Sequence, residues 1–503
     1  MKLFFRVDAS TEIGTGHVMR CLALAQACID AGGKAIFAMA TQAPELEIRL
    51  KSEGIEIVYL SVHRGSTEDA KKTATLARQF DVSWVVVDGY NFGAEYQKVI
   101  KNFGLDFLFI DDYGHADYYY ADIVLNQNIY AHEELYSNKE SYTQLLLGTS
   151  YTLLRREFWQ WQGWKRKIPS VANKILVTLG GADSDNVTLK VIQGLQLIEI
   201  ENLEVIVVVG GSNPHYELLQ TAIEQSSFVI HLKTNVTNMP ELMAWADVAI
   251  AAGGSTSWEL AFMGLPSLVL ILADNQRETA QKLGEMEVAI NLGWHENVSF
   301  KKISVEAIGL LELSEVRSKM TKLAKKLVDG QGSHKVLLHV EEKQIKLRQV
   351  SKDDCKLLWH WANDPEVRKV SFSSDFIPWD SHVQWFTSKL ADSDCIIYIA
   401  LNNFDEPIGQ VRFDIEANQA TISISIDANF RNQDYGSKFI RVAVKKIFSA
   451  SKVKTVNAYI KNENYKSIQS FIKAGFNKNK VVNLQDNQII NLVMDRYSSK
   501  LKE

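Results

Sequence analysis

Short apolar runs that end in glycine, each followed by an amphipathic helical stretch, recur over the first two thirds of this 503-residue chain. The first series reads KLFFRVDA, KAIFAMA, IEIVYL, SWVVVDG, LDFLFIDD and DIVLNQ. A second reads NKILVTLGG, LEVIVVVGG, FVIHLK, ADVAIAAGG and PSLVLILA. Strands that alternate with helices build βαβ units and parallel sheets. Runs such as LEVIVVV carry no polar alternation, as strands covered on both faces do not. Two series predict two doubly wound α/β domains, joined near TLLRREFWQWQGWKRKIP. The pattern changes at Gly330 and Gly332. From about Lys346 the order becomes strand, helices, three antiparallel-type strands (CIIYIAL, PIGQVRFDI, QATISISID), then helix, strand, helix, as in an α+β domain. The expected domains are 1–165, 166–342 and 346–503.

Composition narrows the function classes. A formal net charge of -5 argues against a dedicated nucleic-acid binder. No apolar run approaches the ~20 residues of a membrane span. Arg6 and Asp8 interrupt the first apolar stretch, so no signal peptide is expected. Cys21, Cys28, Cys355 and Cys395 lack paired metal-ligand spacing. Cys21 and Cys28, seven apart on one helix, are expected in the core. A cytoplasmic protein without a metal is expected.

Glycine turns stand at the carboxyl ends of the strands, where doubly wound sheets bind ligands. They are IGTGH (Ile13–His17), LGGADSDN (Leu179–Asn186), VGGSNP (Val209–Pro214) and AAGGSTSWELAFMGLP (Ala251–Pro266). Such a turn admits an anion close to the backbone, and the following helix offers N–H groups and a positive dipole end. Gly14 and Gly16 flank the first turn, Gly180 and Gly181 the second, and Gly254 the fourth. Ser255 and Thr256 offer hydroxyls at a helix start. Glu259 follows Ser255 by four residues, on one face, where a carboxylate can accept both hydroxyls of a ribose. The alternative makes Ser255 an N-cap and Glu259 a dipole partner. Asn275 and Gln276 in ADNQ lie at a further strand end. His17 sits where a helix N-terminus disfavours imidazolium, so it is a candidate general base; the alternative is a cap or phosphate donor. His115 and His215 are expected to be structural or on the surface. The aromatic groups FWQWQGW and DYYYAD are expected to pack at the domain joint.

The segments RVDASTEIGTGHVMRCLALA, VVVDGY, FIDDYGH, VTLGGADSDN, GGSTSWELAFMGLP and ADNQ resemble nucleotide-sugar enzymes of two Rossmann-like domains, the GT-B fold. They are most similar to the UDP-sugar hydrolases of pseudaminic acid biosynthesis, over about residues 1–340. The resemblance implies that UDP binds the second domain through Ser255, Thr256 and Glu259. It also implies that His17 serves attack by water, with Tyr90 lining the site. The family's second-domain turn has a GGSDP-like form; GGADSDN lacks the proline. Independently, UDP is a good leaving group, so the reaction needs one base and donors for the diphosphate. No carboxylate pair of the kind used on ordinary glycosides is assignable.

The segments ISIDANFRNQDYGSKFIRVAVKKIF and AYIKNENYKSIQSFIKAGF resemble the GNAT acetyltransferases over about residues 346–496, and LLWHWANDPEVRKVSF resembles their aminosugar branch. The resemblance implies acetyl-CoA held by Ile426, Arg431, Tyr435, Gly436, Ser437 and Asn464. Asp434 stands where a turn glycine is expected, and Phe471 where the family often has an acidic tyrosine. Tyr459 and Tyr465 are candidate substitutes. The combined expectation is a bifunctional enzyme. It would acetylate the 4-amino group of a UDP-linked amino sugar and then hydrolyse UDP from UDP-2,4-diacetamido-2,4,6-trideoxy-beta-L-altropyranose. The alternatives are a GT-B glycosyltransferase using a UDP-sugar, and a UDP-sugar-binding protein with a degenerate GNAT domain. The sequence leaves the oligomeric state open.

Overall fold

The structure is a computed structural model that describes residues 1–496 apart from 11–12, 83, 181–182, 212, 344, 403–404, 432–434 and 485–486. The chain forms two compact units, Met1–Leu337 and Leu338–Glu503, with the boundary inside helix Gly332–Glu342.

The first unit contains two parallel sheets. One is built from β1 (Lys2–Val7), β2 (Lys34–Met39), β3 (Glu56–Tyr59), β4 (Trp84–Asp88), β5 (Asp106–Ile110), β6 (Ile123–Asn126) and β7 (Gln144–Leu147). Their spatial order is β3-β2-β1-β4-β5-β6-β7, and every pairing is parallel. The second is built from β8 (Lys174–Thr178), β9 (Glu204–Val209), β10 (Val229–Thr234), β11 (Val248–Ala252), β12 (Ser267–Ile271) and β13 (Ile290–Trp294), in the order β10-β9-β8-β11-β12-β13. In each sheet the order reverses beside the first strand, between β1 and β4 and between β8 and β11. A crevice forms at such a reversal, beyond the carboxyl ends of the two strands. The IGTGH and GGSTS turns follow β1 and β11, so both open at these crevices.

The strand residues are apolar because helices cover both faces. Every residue of β4, including Trp84, is buried, and Phe4, Val85, Val87, Phe107 and Phe109 pack as one core. Cys21 and Cys28 are buried on helix Gly16–Asp30, as expected. The aromatic groups part company. Phe158 of FWQWQGW packs with Phe262 in the core of the second sheet. Tyr119 of DYYYAD instead lies in the core of the first, its hydroxyl bonded to Asp111, because it belongs to the segment between β5 and β6 rather than to the joint.

The second unit has one sheet: β14 (Lys346–Gln349), β15 (Cys395–Leu401), β16 (Pro407–Glu416), β17 (Gln419–Ile426), β18 (Thr455–Lys461), β19 (Asn477–Leu484) and β20 (Asn487–Asp495), in the order β14-β15-β16-β17-β18-β20-β19. Its described pairings are antiparallel except β17 with β18, which pair in parallel over three positions only, Gln419–Thr421 against Thr455–Asn457. Beyond Thr421 the two strands part. The α/β architecture of the first unit and the α+β architecture of the second are those expected. Among the described residues no helix is long and apolar enough to cross a membrane.

Candidate functional site

In the first unit, helix Gly16–Asp30 starts immediately after the glycine turn, which Gly14 closes by donating its N–H to Ser10 O at a φ of +79°. His17 therefore sits in the first helical turn, over the carboxyl end of β4. Its Nδ1 lies 2.6 Å from Asp88 Oδ1, at the last residue of that strand. Arg20, one turn on, donates to Asp88 Oδ2 at 2.6 Å and to Asp112 Oδ1 at 2.7 Å. Burial pushes the Asp88 carboxyl upward, but Arg20 and His17 outweigh it and hold it below its ordinary range. Asp112 is held low by the same balance of burial against Arg20. Arg20 Nη2, which can only donate, lies 3.1 Å from Nδ1, but the ionised Asp88, which can only accept, is closer at 2.6 Å and sets the proton on Nδ1. Nε2 then keeps its lone pair and is the basic nitrogen.

Tyr90 stands edge-on to His17, ring centroids 4.9 Å apart. Its hydroxyl donates to Asp112 Oδ2 at 2.7 Å and accepts from Asn275 Nδ2 at 2.9 Å. Burial and then Asp112 push this phenol far above its ordinary range, so it acts as a donor, never as a base. Asn275 belongs to the second sheet's side of the unit and Tyr90 to the first, and their bond spans the crevice. Behind Tyr90, His115 bonds Asp111 at 3.1 Å and is structural. A cavity of about 870 Å³ opens here, lined by His17, Asp88, Tyr90, Tyr130 and Asn275 among others. Arg20, Asp88 and Asp112 were not singled out from the sequence. Their signals were present: the helical i, i+3 spacing of His17 and Arg20, and acids ending two adjacent apolar runs.

Across the crevice, the GGSTS turn faces the GxGH turn. A methyl group built on Gly16 would come within 3.7 Å of Ser255 Oγ. Ser255 is the N-cap of helix Thr256–Met263, yet its side chain makes no capping bond, so the hydroxyl is not spent on the helix. Gln276 closes over Gly254 and anchors itself by accepting from Leu272 N–H at 2.9 Å. Glu259 is one-fifth exposed and accepts from Arg155 Nη2 at 2.8 Å. Burial raises its carboxyl, partly offset by Arg155. Gly180 has a φ of +96° with open space around it; Gly181 lies outside the described residues. Asp183 accepts from Val187 N–H and Thr188 N–H at 2.8 and 2.9 Å. That carboxylate fills the N-terminus of helix Val187–Leu195 and closes it to a phosphate. His215 bonds Ser184 O and is structural. Among the described residues no group of three or more His, Cys, Asp or Glu stands where it could hold a metal ion.

In the second unit, the parting of β17 and β18 leaves Ile422–Ile426 without a parallel partner. An extended ligand chain bearing amides can pair there as a strand would. Gly436 opens helix Tyr435–Ala450 where any Cβ would press Ser470 Oγ at 3.0 Å, with Ile426 Cδ1 at 3.7 Å. Tyr435 packs edge-on to Phe430, and Ser437 is buried. Two predicted residues are already committed. Arg431 pairs with Asp364 at 2.9 Å and donates to Ile426 O. Asn464 caps helix Tyr465–Lys473 by accepting from Ser467 N–H. Asp434 lies outside the described residues. Phe471 is a core residue packed against Phe476, whereas Tyr459 and Tyr465 are exposed.

Residues 174–335 match the Glycosyltransferase family 28 C-terminal domain, and residues 344–477 the Acetyltransferase (GNAT) domain. An uncharacterized protein of Methanocaldococcus jannaschii is 25% identical, covering 95% of this chain and 97% of its own. The UDP-2,4-diacetamido-2,4,6-trideoxy-beta-L-altropyranose hydrolase of Campylobacter jejuni is 26% identical over 57% of this chain and 97% of its own. The crystal structure of Acinetobacter baumannii MurG is 15% identical, covers 68% of this chain and all of its own, and superposes with a TM-score of 0.49. The chain thus joins a GT-B pair homologous to the Campylobacter hydrolase to a GNAT acetyltransferase domain.

Proposed function

From a GT-B pair and a GNAT domain in one chain, we propose a bifunctional nucleotide-sugar enzyme with two consecutive reactions. The first unit hydrolyses UDP from a UDP-2,4-diacetamido-2,4,6-trideoxy-hexose. The second transfers the acetyl group of acetyl-CoA to the 4-amino group of the precursor. In the hydrolysis, His17 Nε2 takes a proton from water while the water oxygen bonds to the anomeric carbon. The bond from that carbon to the diphosphate oxygen breaks, and UDP leaves with the electron pair. Asp88 fixes the imidazole tautomer and steadies the imidazolium as it forms. Tyr90 and Asn275 order the groups beside it. The diphosphate rests at the GGSTS turn and the N-terminus of helix Thr256–Met263, where N–H donors meet the growing charge. Glu259, oriented by Arg155, accepts from the ribose.

The observation that carries this reading is the His17–Asp88 pair beside Tyr90, which Asn275 bonds from across the crevice. In the acetyl transfer, the pantetheine chain lies along the parted β17; the neutral amine attacks the thioester carbonyl, the C–S bond breaks, CoA leaves as the thiolate, and the proton lost from nitrogen ends on its sulfur. Fusion keeps the two activities at a fixed ratio. The test supplies the UDP-4-amino sugar with and without acetyl-CoA and follows UDP and sugar by NMR. UDP release that depends on acetyl-CoA is expected. Release only from ready-made diacetamido substrate would remove the acetyltransferase from the proposal; no release from either would remove the hydrolase.

A second reading is favoured by the match of residues 174–335 to a glycosyltransferase domain: a sugar or lipid acceptor in place of water. UDP release that waits for an added acceptor would identify it.

A further inference from the structure

The same cavity holds a cation that the proposed reaction does not use. Arg64 lines it together with Asp8, His17 and Tyr90. Its Nη1 is fully shielded from solvent and has no hydrogen-bond partner among the described residues. The other arginines at this end are engaged. Arg6 pairs with Asp8 and Asp69, Arg20 with Asp88 and Asp112, and Arg277 with Asp274. Nη1 is closed even to water, so a ligand acceptor in the cavity meets the rest of this guanidinium, which no other group among the described residues bonds or pairs with.

The backbone carrying Arg64 is held firmly. Gly65, at a φ of +74°, presses so close to Asn91 that a Cβ would fall 1.9 Å from its carbonyl oxygen. Gly65 N–H donates to Asp69 Oδ2 at 3.0 Å, and Ser66 Oγ caps helix Thr67–Gln79 by accepting from Asp69 N–H. The backbone that carries Arg64 is therefore a fixed turn, and the side chain lines the cavity on the first sheet's side, with His17 and Tyr90. In the proposed complex the sugar, rather than the diphosphate, occupies that side.

Resting on that reading, we infer that Arg64 senses the acylation state of the sugar. It donates to the carbonyl oxygen of an acetamido group and repels the ammonium of an unacetylated precursor. The two substrates differ at one nitrogen: a neutral amide with an acceptor oxygen, or a cation with none. A fixed guanidinium attracts the first and opposes the second. The acids lining the cavity offer the ammonium little relief, Asp274 being paired with Arg277. Asp8 accepts from Arg6 and from Ala40 N–H, and Asp88 is shared by His17 and Arg20. Glu278 is exposed, on the second sheet's side. Hydrolysis is thereby confined to acetylated sugar, and the order of the two reactions is set inside the hydrolytic site.

The test compares wild type, Arg64→Met and Arg64→Lys on the UDP-diacetamido sugar and on its UDP-4-amino counterpart, with UDP affinity measured by calorimetry. Arg64→Met is expected to lower kcat/KM for the diacetamido sugar about ten- to a hundredfold, mainly through KM, the size of one hydrogen bond to a charged group. Preference over the amino sugar should collapse while UDP affinity holds. Arg64→Lys keeps the charge without the fork, so it should still reject the amino sugar. An unchanged preference in Arg64→Met overturns the inference and leaves the hydrolase standing. Equal wild-type rates on the two sugars overturn it as well. A wild type that releases UDP from neither sugar overturns both. Should Arg64→Met fold poorly, an Arg64→Lys that accepts the amino sugar as well as the diacetamido one overturns the inference.

Discussion

At the scale of residues, the site depends on where one proton sits. In the proposed hydrolysis Asp88 is a positioning residue: it acts on water only through His17. His17→Asn should lower kcat about 10²–10⁴-fold, the usual worth of a positioned base, with UDP affinity unchanged by calorimetry. Asp88→Asn should lower kcat within the same range, because a carboxamide can donate to Nδ1 and place the proton on Nε2. Steady-state kinetics of UDP release checks both. The same carboxylates govern acid stability. Asp88 and Asp112 have folded pKa values below their ordinary ones. Their contribution is complete above the unfolded carboxylate value of about 3.9 and is lost as the pH falls through the folded values. Arg20→Met leaves both carboxylates buried without their cation, Asp88 keeping its bond to His17 and Asp112 those from Tyr90 and Asn128, at a cost of about 3–5 kcal/mol near neutrality. Protonation relieves that variant, so urea melts from pH 7 to pH 3 should show its deficit relative to wild type shrinking.

At the scale of elements, most of the parallel strands were legible because burial on both faces writes them as unbroken apolar runs. β1, β2, β4 to β6, β8, β9, β11 and β12 each coincide with such a run, whereas β3 and β10 are partly exposed edge strands that coincide with the runs IEIVYL and FVIHLK. β7 (QLLL) and β13 (INLGW) close their sheets' edges and were not read, being short and only partly buried. The β19–β20 hairpin was also missed; NKNKVVNL shows too little alternation to signal a strand. The glycine turns were legible as a class, but their uses differ in ways that spacing does not reveal. Asp183 closes one helix N-terminus, whereas Ser255 leaves another uncapped by side chains. The Arg20 network was hidden for a similar reason: its members come from helix Gly16–Asp30, β4 and the end of β5, separate in sequence and joined only by the sheet order. The turn before helix Thr67–Gln79 gives an element-scale prediction. Gly65→Ala needs a left-handed backbone and collides with Asn91, so it should cost about 1–3 kcal/mol in chemical unfolding. It should also weaken discrimination at Arg64.

At the scale of the whole molecule, the two compact units carry separate cores, and the proposed function gives them separate ligands. Calorimetric unfolding should resolve two transitions. UDP should raise only the one belonging to Met1–Leu337, and acetyl-CoA only the other. Each ligand at a hundredfold its Kd adds about 2.7 kcal/mol to the unit that binds it. A single transition raised by both ligands would contradict this independence. Within the first unit the opposite holds. Tyr90 and Asn275, 185 residues apart, meet by one hydrogen bond at the proposed reacting centre. If the chain were severed in the joint that follows β7, each half would keep a complete sheet and neither could hydrolyse alone. Mixed together, the halves would turn over at a rate set by the product of their concentrations. Hydrolysis would then become a bimolecular reaction of the protein with itself, and its rate law would report how strongly the two sheets hold each other.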